Sequence, residues 1–189
     1  MSPYRPDLVD VWIFRATKPR PRIGFGSPET PGGASPGGSA AAGHSGIEIL
    51  LLRRSPGRIL PGLWQCVSGS LEPGETVVAG ALRELQEETG YDRETIEALF
   101  SLDQVNQFHE PTVDAILTAA IFAVRVRLGA EPVLSHEHDD ARWLSPAAAR
   151  VETVWPAYRE SIERIETDLV DPARASWFRL ELDGRRPAG

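Results

Sequence analysis

The sequence from Gly69 to Tyr91 reads GSLEPGETVVAGALRELQEETGY, and it has a turn-forming part followed by a helix-forming part. The first part contains glycine and proline, which favour a loop. From Glu75 to Thr89 apolar residues recur at helical spacing, and Gly90 is well placed to end a helix in the left-handed conformation. The segment therefore predicts a loop followed by a helix.

Three carboxylates lie close together on this predicted helix. Glu84, Glu87 and Glu88 are spaced at i, i+3 and i+4, which brings their side chains onto one face. Like charges this close repel one another in a bare helix, and a bound divalent cation would reverse that cost. Carboxylate oxygens suit a hard cation such as Mg²⁺. The spacing alone also fits a solvated acidic helix face, so both interpretations stay open at this point.

The loop and the helix together resemble the Nudix box. In family notation the box is G-x5-E-x7-R-E-U-x-E-E-x-G-U, where U is a bulky apolar residue, and this sequence follows it throughout. Tyr91 is a mild departure, because an aliphatic residue is usual there. So many fixed residue types at fixed spacing make a chance match very improbable. The resemblance implies a Nudix hydrolase, an enzyme that hydrolyses a nucleoside diphosphate linked to another moiety.

The resemblance also implies a metal site. The glutamates of the box would hold Mg²⁺, for which Mn²⁺ can substitute, directly or through water. These ligands are Glu84, Glu87 and Glu88, with the carbonyl of Gly69 as a further candidate. We expect the Glu88 side chain to be exposed, so that Glu88→Gln lowers turnover while leaving the melting temperature nearly unchanged.

Two further residues of the box support this site in the resemblance. Arg83 would orient the carboxylates, and Glu75 would hold the loop and Arg83 rather than bind the metal. Metal ions would neutralise the diphosphate and activate a water that attacks phosphorus in line, with no covalent protein intermediate.

A second acidic segment, SHEHDD at residues 135–140, lies far downstream of the box. Its spacing is similar to the corresponding region of bacterial dATP and dihydroneopterin triphosphate pyrophosphohydrolases, in which a glutamate of this segment approaches the metal. The resemblance implies that Glu137 is the general base and a metal ligand. Asp139 or Asp140 could take that role, and an exposed polar loop is the alternative interpretation.

Several residues are candidates for contact with substrate. Two arginines that end the second predicted strand can bind phosphate through their fork geometry, and a Trp-Gln pair precedes the box. These candidates are Arg53, Arg54, Trp64 and Gln65. Phe108 and Trp143, like Trp64, could stack on a base or pterin ring, although aromatic residues in strands more often belong to the core.

The remaining sequence predicts an α/β (α+β) fold. Strands are expected at 10–14, 47–52, 63–67, 100–108, 113–127 and 142–144, with a weaker candidate at 177–182, and a second helix at 155–168. This order predicts the Nudix fold, a mixed β-sheet core sandwiched between helices. We expect a Nudix domain at 1–170 with a flexible Pro/Gly-rich insertion at 18–45, followed by a C-terminal extension at 171–189.

The composition of the chain argues against several classes of function, including nucleic-acid binding and membrane insertion. The 27 acidic and 20 basic residues give a formal charge of −7, which disfavours nucleic-acid binding. The apolar stretch at 115–124 is shorter than the roughly 20 residues of a membrane helix, and it fits a buried strand. The single cysteine, Cys66, excludes an internal disulfide and fits a buried filler. Without a signal-peptide pattern at 1–10, we expect a cytoplasmic protein that does not bind membranes.

Three functions stay open. The first is cleavage of a (deoxy)nucleoside or pterin triphosphate to monophosphate and pyrophosphate, which the subgroup resemblance favours. The second is cleavage of ADP-ribose or a dinucleoside polyphosphate, although residues 103–111 do not fit the markers of those families. The third is a catalytically inactive nucleotide-sensing domain, which commonly loses box carboxylates that are present here. A homodimer is the default expectation for a small soluble enzyme.

Overall fold

A computed structural model of the chain describes residues 6–17 and 46–187. Within these ranges it forms eight strands: β1 (Leu8–Ala16), β2 (Ile47–Arg54), β3 (Trp64–Gln65), β4 (Val67–Ser70), β5 (Ile96–Glu110), β6 (Ala115–Val126), β7 (His138–Leu144) and β8 (Arg179–Leu180). Its helices there are α1 (Val77–Thr89), α2 (Pro146–Glu152), α3 (Pro156–Arg164) and α4 (Pro172–Ala175), and a π-helical turn at Ile165–Leu169 follows α3. The insertion predicted at 18–45 lies outside the described residues.

The strands form one mixed sheet with β1 near its centre. Its main order is β3-β2-β1-β6-β5-β8, while β4 pairs with β1 and β7 pairs with β2. β1 runs parallel to β6 along one edge, and its opposite edge is shared by β4 and β2, both antiparallel. The pairing of β1 with β2 is the one that two apolar runs near the start of the chain would be expected to make.

Helices cover both faces of this sheet, as the sequence predicted. Side chains alternate along β1, so Val11 and Ile13 face the cluster that contains Leu85 of α1. Trp12 and Phe14 face the opposite cluster, which includes residues of α2, α3 and the π-helical turn. Burial of both faces is the main stabilising contribution, at roughly 25 cal/mol per Å² of apolar surface. The predicted sandwich of a mixed sheet between helices is confirmed.

Helix α1 begins and ends at identifiable caps. The Thr76 Oγ1 atom accepts a hydrogen bond from the Ala79 N–H at 3.2 Å, so the helix begins at Val77 rather than at Glu75. At the other end Gly90 adopts a φ of 70°, and its N–H donates to the Gln86 carbonyl. The predicted termination at Gly90 is confirmed.

Other elements differ from the sequence predictions in informative ways. The strand predicted at 63–67 is two short strands that meet at Cys66 and pair with different partners, β2 and β1. Helix α2 was not predicted, although Ser145 caps it and Pro146 occupies its first turn. The helix predicted at 155–168 becomes π-helical after Arg164, and the last strand is limited to the two residues that pair with β5.

Strand β5 is longer than predicted, whereas β6 is shorter at both ends and carries the apolar stretch expected to be a buried strand. Ile121 and Val124 are buried in opposite faces of the sheet, which confirms that expectation. The register shifts between Ser101 and Val105, where Asp103 has a φ of 49°. Among the helices in the described part of the chain, none combines the length and apolar character that a membrane span needs.

Candidate functional site

Glu84 lies directly against the loop that precedes α1. A Cβ atom added at Gly69 would stand 1.9 Å from the Glu84 carboxyl carbon, so a larger residue there would displace the carboxylate. Gly69 belongs to β4, and its pairing with Val9 of β1 fixes the backbone that Glu84 contacts. Burial raises the pKa of Glu84, and its hydrogen bond to Arg83 opposes that rise. The glycine at this position is required by close approach of the carboxylate.

Arg83 connects the loop to the helix through both ends of its guanidinium. Its Nε and Nη2 atoms donate to the two carboxylate oxygens of Glu75, each at 3.1 Å. Its Nη1 atom donates to Glu84 at 2.8 Å and to Glu87 at 3.1 Å, and Nη2 also donates to the Ser70 carbonyl. These bonds, first of all those to Glu75, raise the pKa of Arg83. The contacts are those that an orienting arginine and a supporting Glu75 would make.

Glu88 is buried, and the expectation that its side chain is exposed is wrong. Only 3% of the residue is accessible, because Glu88 continues the core-facing stripe of Ala81 and Leu85 at i, i+4 and i+7. The Ser68 N–H donates to its carboxylate, while the Oε2 atom has no hydrogen-bond partner among the described residues. Burial, together with the charge of Glu84, raises the pKa of Glu88 to about 9.

His138 lies beside Glu88, a placement that the spacing of the acidic residues did not predict. The Nδ1 atom of His138 is 3.7 Å from Glu88 Oε2, which is too long for a hydrogen bond, and both residues are buried. Burial and the nearby charge of Arg54 lower the pKa of His138 to about 4, so the ring is neutral. His138 directly follows Glu137 in the sequence, and this adjacency was the available signal.

The box carboxylates are not arranged as a closed metal site. Within residues 6–17 and 46–187 no three carboxylate, imidazole or thiol groups converge tightly enough to hold an ion. Arg83 forms ion pairs with Glu84 and the exposed Glu87, whereas the Glu88 side chain points into the core. The three carboxylates therefore do not converge on one point. The donor set still fits a hard cation, because Glu88 leaves one buried oxygen unpaired next to the charge of Glu84.

The downstream acidic segment is attached to the C-terminal end of α1. The Ser135 N–H donates to the Glu88 carbonyl at 3.2 Å, and the Val133 N–H donates to the Thr89 carbonyl at 2.8 Å. These bonds place Glu137 close enough that its charge raises the pKa values of both Glu84 and Glu88. The structure therefore brings Glu137 to the box although the two lie far apart in sequence.

The other carboxylates of that segment face different partners. Asp139 pairs with Arg53 at 2.7 Å, and Asp140 lies 3.4 Å from Arg142. Glu137 itself pairs with Arg58 at 2.7 Å, a residue that sequence reasoning did not single out. Of the three acidic candidates, Glu137 is the one whose charge acts on both Glu84 and Glu88.

The candidate substrate residues separate into two groups. Arg54 donates to the Ile59 carbonyl at 2.6 Å and to Gln65 at 3.4 Å, and the Gln65 amide nitrogen is 3.5 Å from His138 Nε2. These contacts run from Arg54 through Gln65 and His138 to Glu88. Arg53 is instead held by Asp139, so the two arginines do not converge on one point.

The three candidate stacking residues also differ. Trp64 is partly buried with the Arg142 guanidinium 4.4 Å from its ring centroid. Trp143 packs against the core cluster beneath α1, and the Arg15 guanidinium covers its ring at 3.9 Å. Phe108 is 42% exposed on the β5–β6 hairpin. Cys66 is buried and burial raises the pKa of its thiol, which confirms the expectation of a buried filler.

Two open cavities lie along the side of α1 and beyond its end. They measure about 460 and 400 Å³, and both are lined by Tyr91. Neither lining includes Glu84, Glu88 or Glu137.

Comparison with known proteins gives a family match over most of the chain. The NUDIX domain model matches residues 40–165. Among solved structures, a NUDIX hydrolase from Listeria monocytogenes superposes with a TM-score of 0.64 at 20% identity, covering 87% of this chain and 94% of that chain. The Caenorhabditis elegans Ap4A hydrolase gives 0.62 at 17% identity, covering 87% and 98%. The Escherichia coli dihydroneopterin triphosphate pyrophosphohydrolase gives 0.54 at 24% identity, covering 82% and 95%. At these identities the likeness shows the fold.

One curated protein is similar in sequence. An octanoyltransferase from Myxococcus xanthus is 35% identical over 118 residues, which are 61% of this chain and 31% of that protein. The chain therefore spans about a third of the length of the curated relative that it matches.

Proposed function

This chain belongs to the Nudix family of hydrolases, which act on anhydrides in phosphorus-containing compounds, and we propose that it cleaves a (deoxy)nucleoside triphosphate or a related triphosphate to monophosphate and pyrophosphate. The observation that carries the proposal is the hydrogen bond from the Ser135 N–H to the Glu88 carbonyl, which brings the loop that bears Glu137 next to the helix that carries Glu84 and Glu88. Carboxylates on two adjoining elements suit a substrate whose phosphates arrive with a divalent cation.

We propose Mg²⁺ as that cation, with Mn²⁺ as a substitute; divalent metal ions are general in the family. Its ligands would be Glu84, Glu87 and Glu88, with the Gly69 carbonyl and Glu137 as further candidates. When bound, the metal would neutralise diphosphate charge and make water a stronger nucleophile. The unpaired Oε2 atom of Glu88 and the contact between Gly69 and Glu84 support this assignment.

The side chains of this site would then accept a proton, hold the carboxylates in place and contact the substrate. Glu137 would accept the proton of the attacking water, because it is half-exposed and close to both Glu84 and Glu88. Arg83 would hold Glu84 in place through the bond at 2.8 Å. Arg54, whose charge acts on Glu88, is the better supported substrate contact, whereas Gln65 is buried and would hold Arg54 in place. Arg53 and Trp64 stay as further candidates, with Arg53 held by Asp139.

Two other functions rank below this proposal. Hydrolysis of ADP-ribose or a dinucleoside polyphosphate ranks second, since the likeness to the Ap4A hydrolase is at 17% identity and shows the fold alone. A catalytically inactive nucleotide-sensing domain ranks third, because all three box glutamates are present. We do not transfer the activity of the octanoyltransferase, because the match covers 31% of that protein.

A substrate panel tests the proposal. Purified protein with Mg²⁺ is given deoxynucleoside triphosphates, dihydroneopterin triphosphate, ADP-ribose and Ap4A, and the products are separated by ion exchange. We expect pyrophosphate and a monophosphate from a triphosphate, and no turnover in EDTA. Faster cleavage of ADP-ribose or Ap4A would favour the second function, and no turnover of any compound would favour the third.

Other expectations from the sequence stay predictions. A nucleoside or pterin polyphosphate is the proposed partner, and the absence of nucleic-acid and membrane binding, the homodimer and the cytoplasmic location remain to be measured. The division into a domain at 1–170, an insertion at 18–45 and an extension at 171–189 is likewise a proposal.

A further inference from the structure

Arg58 lies in the loop between β2 and β3 and forms an ion pair with Glu137, the proposed general base. Its Nη2 atom is 2.7 Å from the Glu137 carboxylate and 2.6 Å from His136 Nε2. About a third of each side chain of this ion pair is exposed, 32% for Arg58 and 35% for Glu137. The arginine therefore lies at the solvent-facing edge of the carboxylate cluster, where a phosphate group would arrive.

The loop that presents Arg58 is built to hold it there. The Ser55 N–H donates to the Glu137 carbonyl at 2.9 Å, and the Arg58 N–H donates to the Ser55 carbonyl at 3.0 Å. Leu60, two residues further on, has a φ of 56°, a conformation that costs free energy in a residue with a branched side chain. The backbone thus ties the Arg58 loop to Glu137 independently of the side-chain ion pair.

Charge around the site indicates what Arg58 would bind. Glu137 pairs with Arg58, and burial together with the charges of Glu87 and Glu137 raises the pKa of Glu84, so a polyphosphate that arrives there meets several carboxylates. Arg53 pairs with Asp139, and Arg54 donates to the Ile59 carbonyl and to Gln65, so neither of these arginines is paired with Glu137. Arg58 is the cation in direct contact with Glu137, and guanidinium binds phosphate oxygens in a fork geometry.

We propose that Arg58 is a substrate-phosphate ligand and the positioning residue for Glu137: it holds Glu137 in the free protein and releases it by exchanging the carboxylate for a phosphate oxygen. The inference rests on the proposed function, since it assumes a polyphosphate substrate. Before the exchange, one Glu137 oxygen is occupied by Arg58. After the exchange, both oxygens are free to face the attacking water, so the base becomes available only when substrate is present.

The test combines binding and kinetics. Arg58→Ala, Arg58→Lys and the control Arg125→Ala are compared with wild type, because Arg125 makes a similar ion pair, with Glu97 at 3.0 Å and comparable exposure. Affinity for inorganic tripolyphosphate with Mg²⁺ is measured by calorimetry, and KM and kcat with the best triphosphate from the panel. We expect Arg58→Ala to raise Kd and KM by about tenfold, because the substitution removes a charge-assisted hydrogen bond to phosphate. Arg58→Lys should recover part of the loss, and Arg125→Ala should match wild type.

The same substitution in a Glu137→Gln background distinguishes a phosphate ligand from a residue that only holds Glu137 in place. In Glu137→Gln protein, Arg58→Ala should weaken tripolyphosphate binding at least as much as in wild type, because no ion pair has to break first. If the effect of Arg58→Ala vanishes in that background, or if Kd for tripolyphosphate never changes, Arg58 only holds Glu137 in place and the proposal is overturned. If wild type hydrolyses no triphosphate but still binds tripolyphosphate through Arg58, the phosphate contact stands and the proposed function fails.

Discussion

Glu88 is the residue whose environment most constrains the chemistry. Its carboxyl group is 3% accessible and lies near the charge of Glu84, so the pKa of about 9 means that it is protonated at neutral pH when no cation is bound. A divalent ion must displace that proton, which makes metal binding and proton release one event.

The affinity for Mg²⁺ should therefore depend on pH. Between pH 7 and about 9 we expect the affinity to rise up to about tenfold per pH unit, because raising pH removes the proton that competes with the metal for Glu88. Above that range it should level off. Calorimetry in buffers of different ionisation enthalpy should show about one proton released per ion at pH 7. A Kd that is constant across this range would contradict the protonated state of Glu88.

Substitution of Glu88 distinguishes its effect on turnover from its effect on the stability of the fold. Glu88→Gln should lower kcat by orders of magnitude and should not lower the melting temperature at pH 7 in EDTA, because the neutral amide resembles the protonated acid. The pKa is raised from 4.5 to about 9, so metal-free wild type loses stability as pH rises through that window, and the variant should not. Thermal melts at pH 5, 7 and 9 measure this. For the thermal melts alone the control is Glu87→Gln, at an exposed position, because Glu87 is itself a proposed metal ligand. Parallel pH profiles of the melting temperature for wild type and Glu88→Gln would contradict a Glu88 pKa raised by burial.

Gly69 gives a test of geometry alone. Gly69→Ala places a methyl group 1.9 Å from the Glu84 carboxyl carbon, so Glu84 must move, and we expect kcat to fall at least about tenfold. Gly57→Ala is the matched control, because a Cβ there meets no atom within 4 Å and should leave kcat near wild type. Unchanged kcat in Gly69→Ala would show that the position of Glu84 is not critical.

At the scale of elements, α1 depends on its caps for its end points. Thr76→Ala removes the bond from Thr76 Oγ1 to the Ala79 N–H and should cost about 1 kcal/mol in free energy of unfolding. Chemical denaturation measures the loss, and kcat should stay within about twofold because the carboxylates lie in the later turns. Thr112→Ala, in the β5–β6 turn, controls for loss of a threonine. A loss no larger than in that control would mean that the cap contributes little.

The elements also show how far sequence reasoning reaches. The box, the positions of most strands and the end of α1 at Gly90 follow from local spacing, so they could be predicted, whereas the break at Cys66 between β3 and β4 could not. Burial of Glu88 was predictable too, because Glu88 continues the i, i+4, i+7 stripe of Ala81 and Leu85, but the charge pattern drew attention to the other face. The ion pair of Arg58 with Glu137 was not predictable, because it joins two loops through tertiary pairing of β2 and β7.

For the whole molecule, the metal should act as a stabilising ligand. An ion that binds only the folded state at a hundred times its Kd adds about 2.7 kcal/mol to the free energy of unfolding. We expect the melting temperature to rise with Mg²⁺ and return to its starting value with EDTA, and this rise to be much smaller in Glu88→Gln. Calorimetric scans measure both. An equal rise in the two proteins would point to cation binding elsewhere on the acidic surface.

The parallel pairing of β1 with β6 has a consequence for synthesis of the protein. Leu8 of β1 pairs with Ala119 of β6, so the centre of the sheet cannot close until the ribosome has released the chain past β6. Until then six successive residues, Val9 to Phe14, which are buried in the finished fold, lack their final neighbours. Long-range pairing of this kind is slow and leaves a nascent strand open to aggregation. The earliest described strand of the chain is thus among the last to be completed during translation.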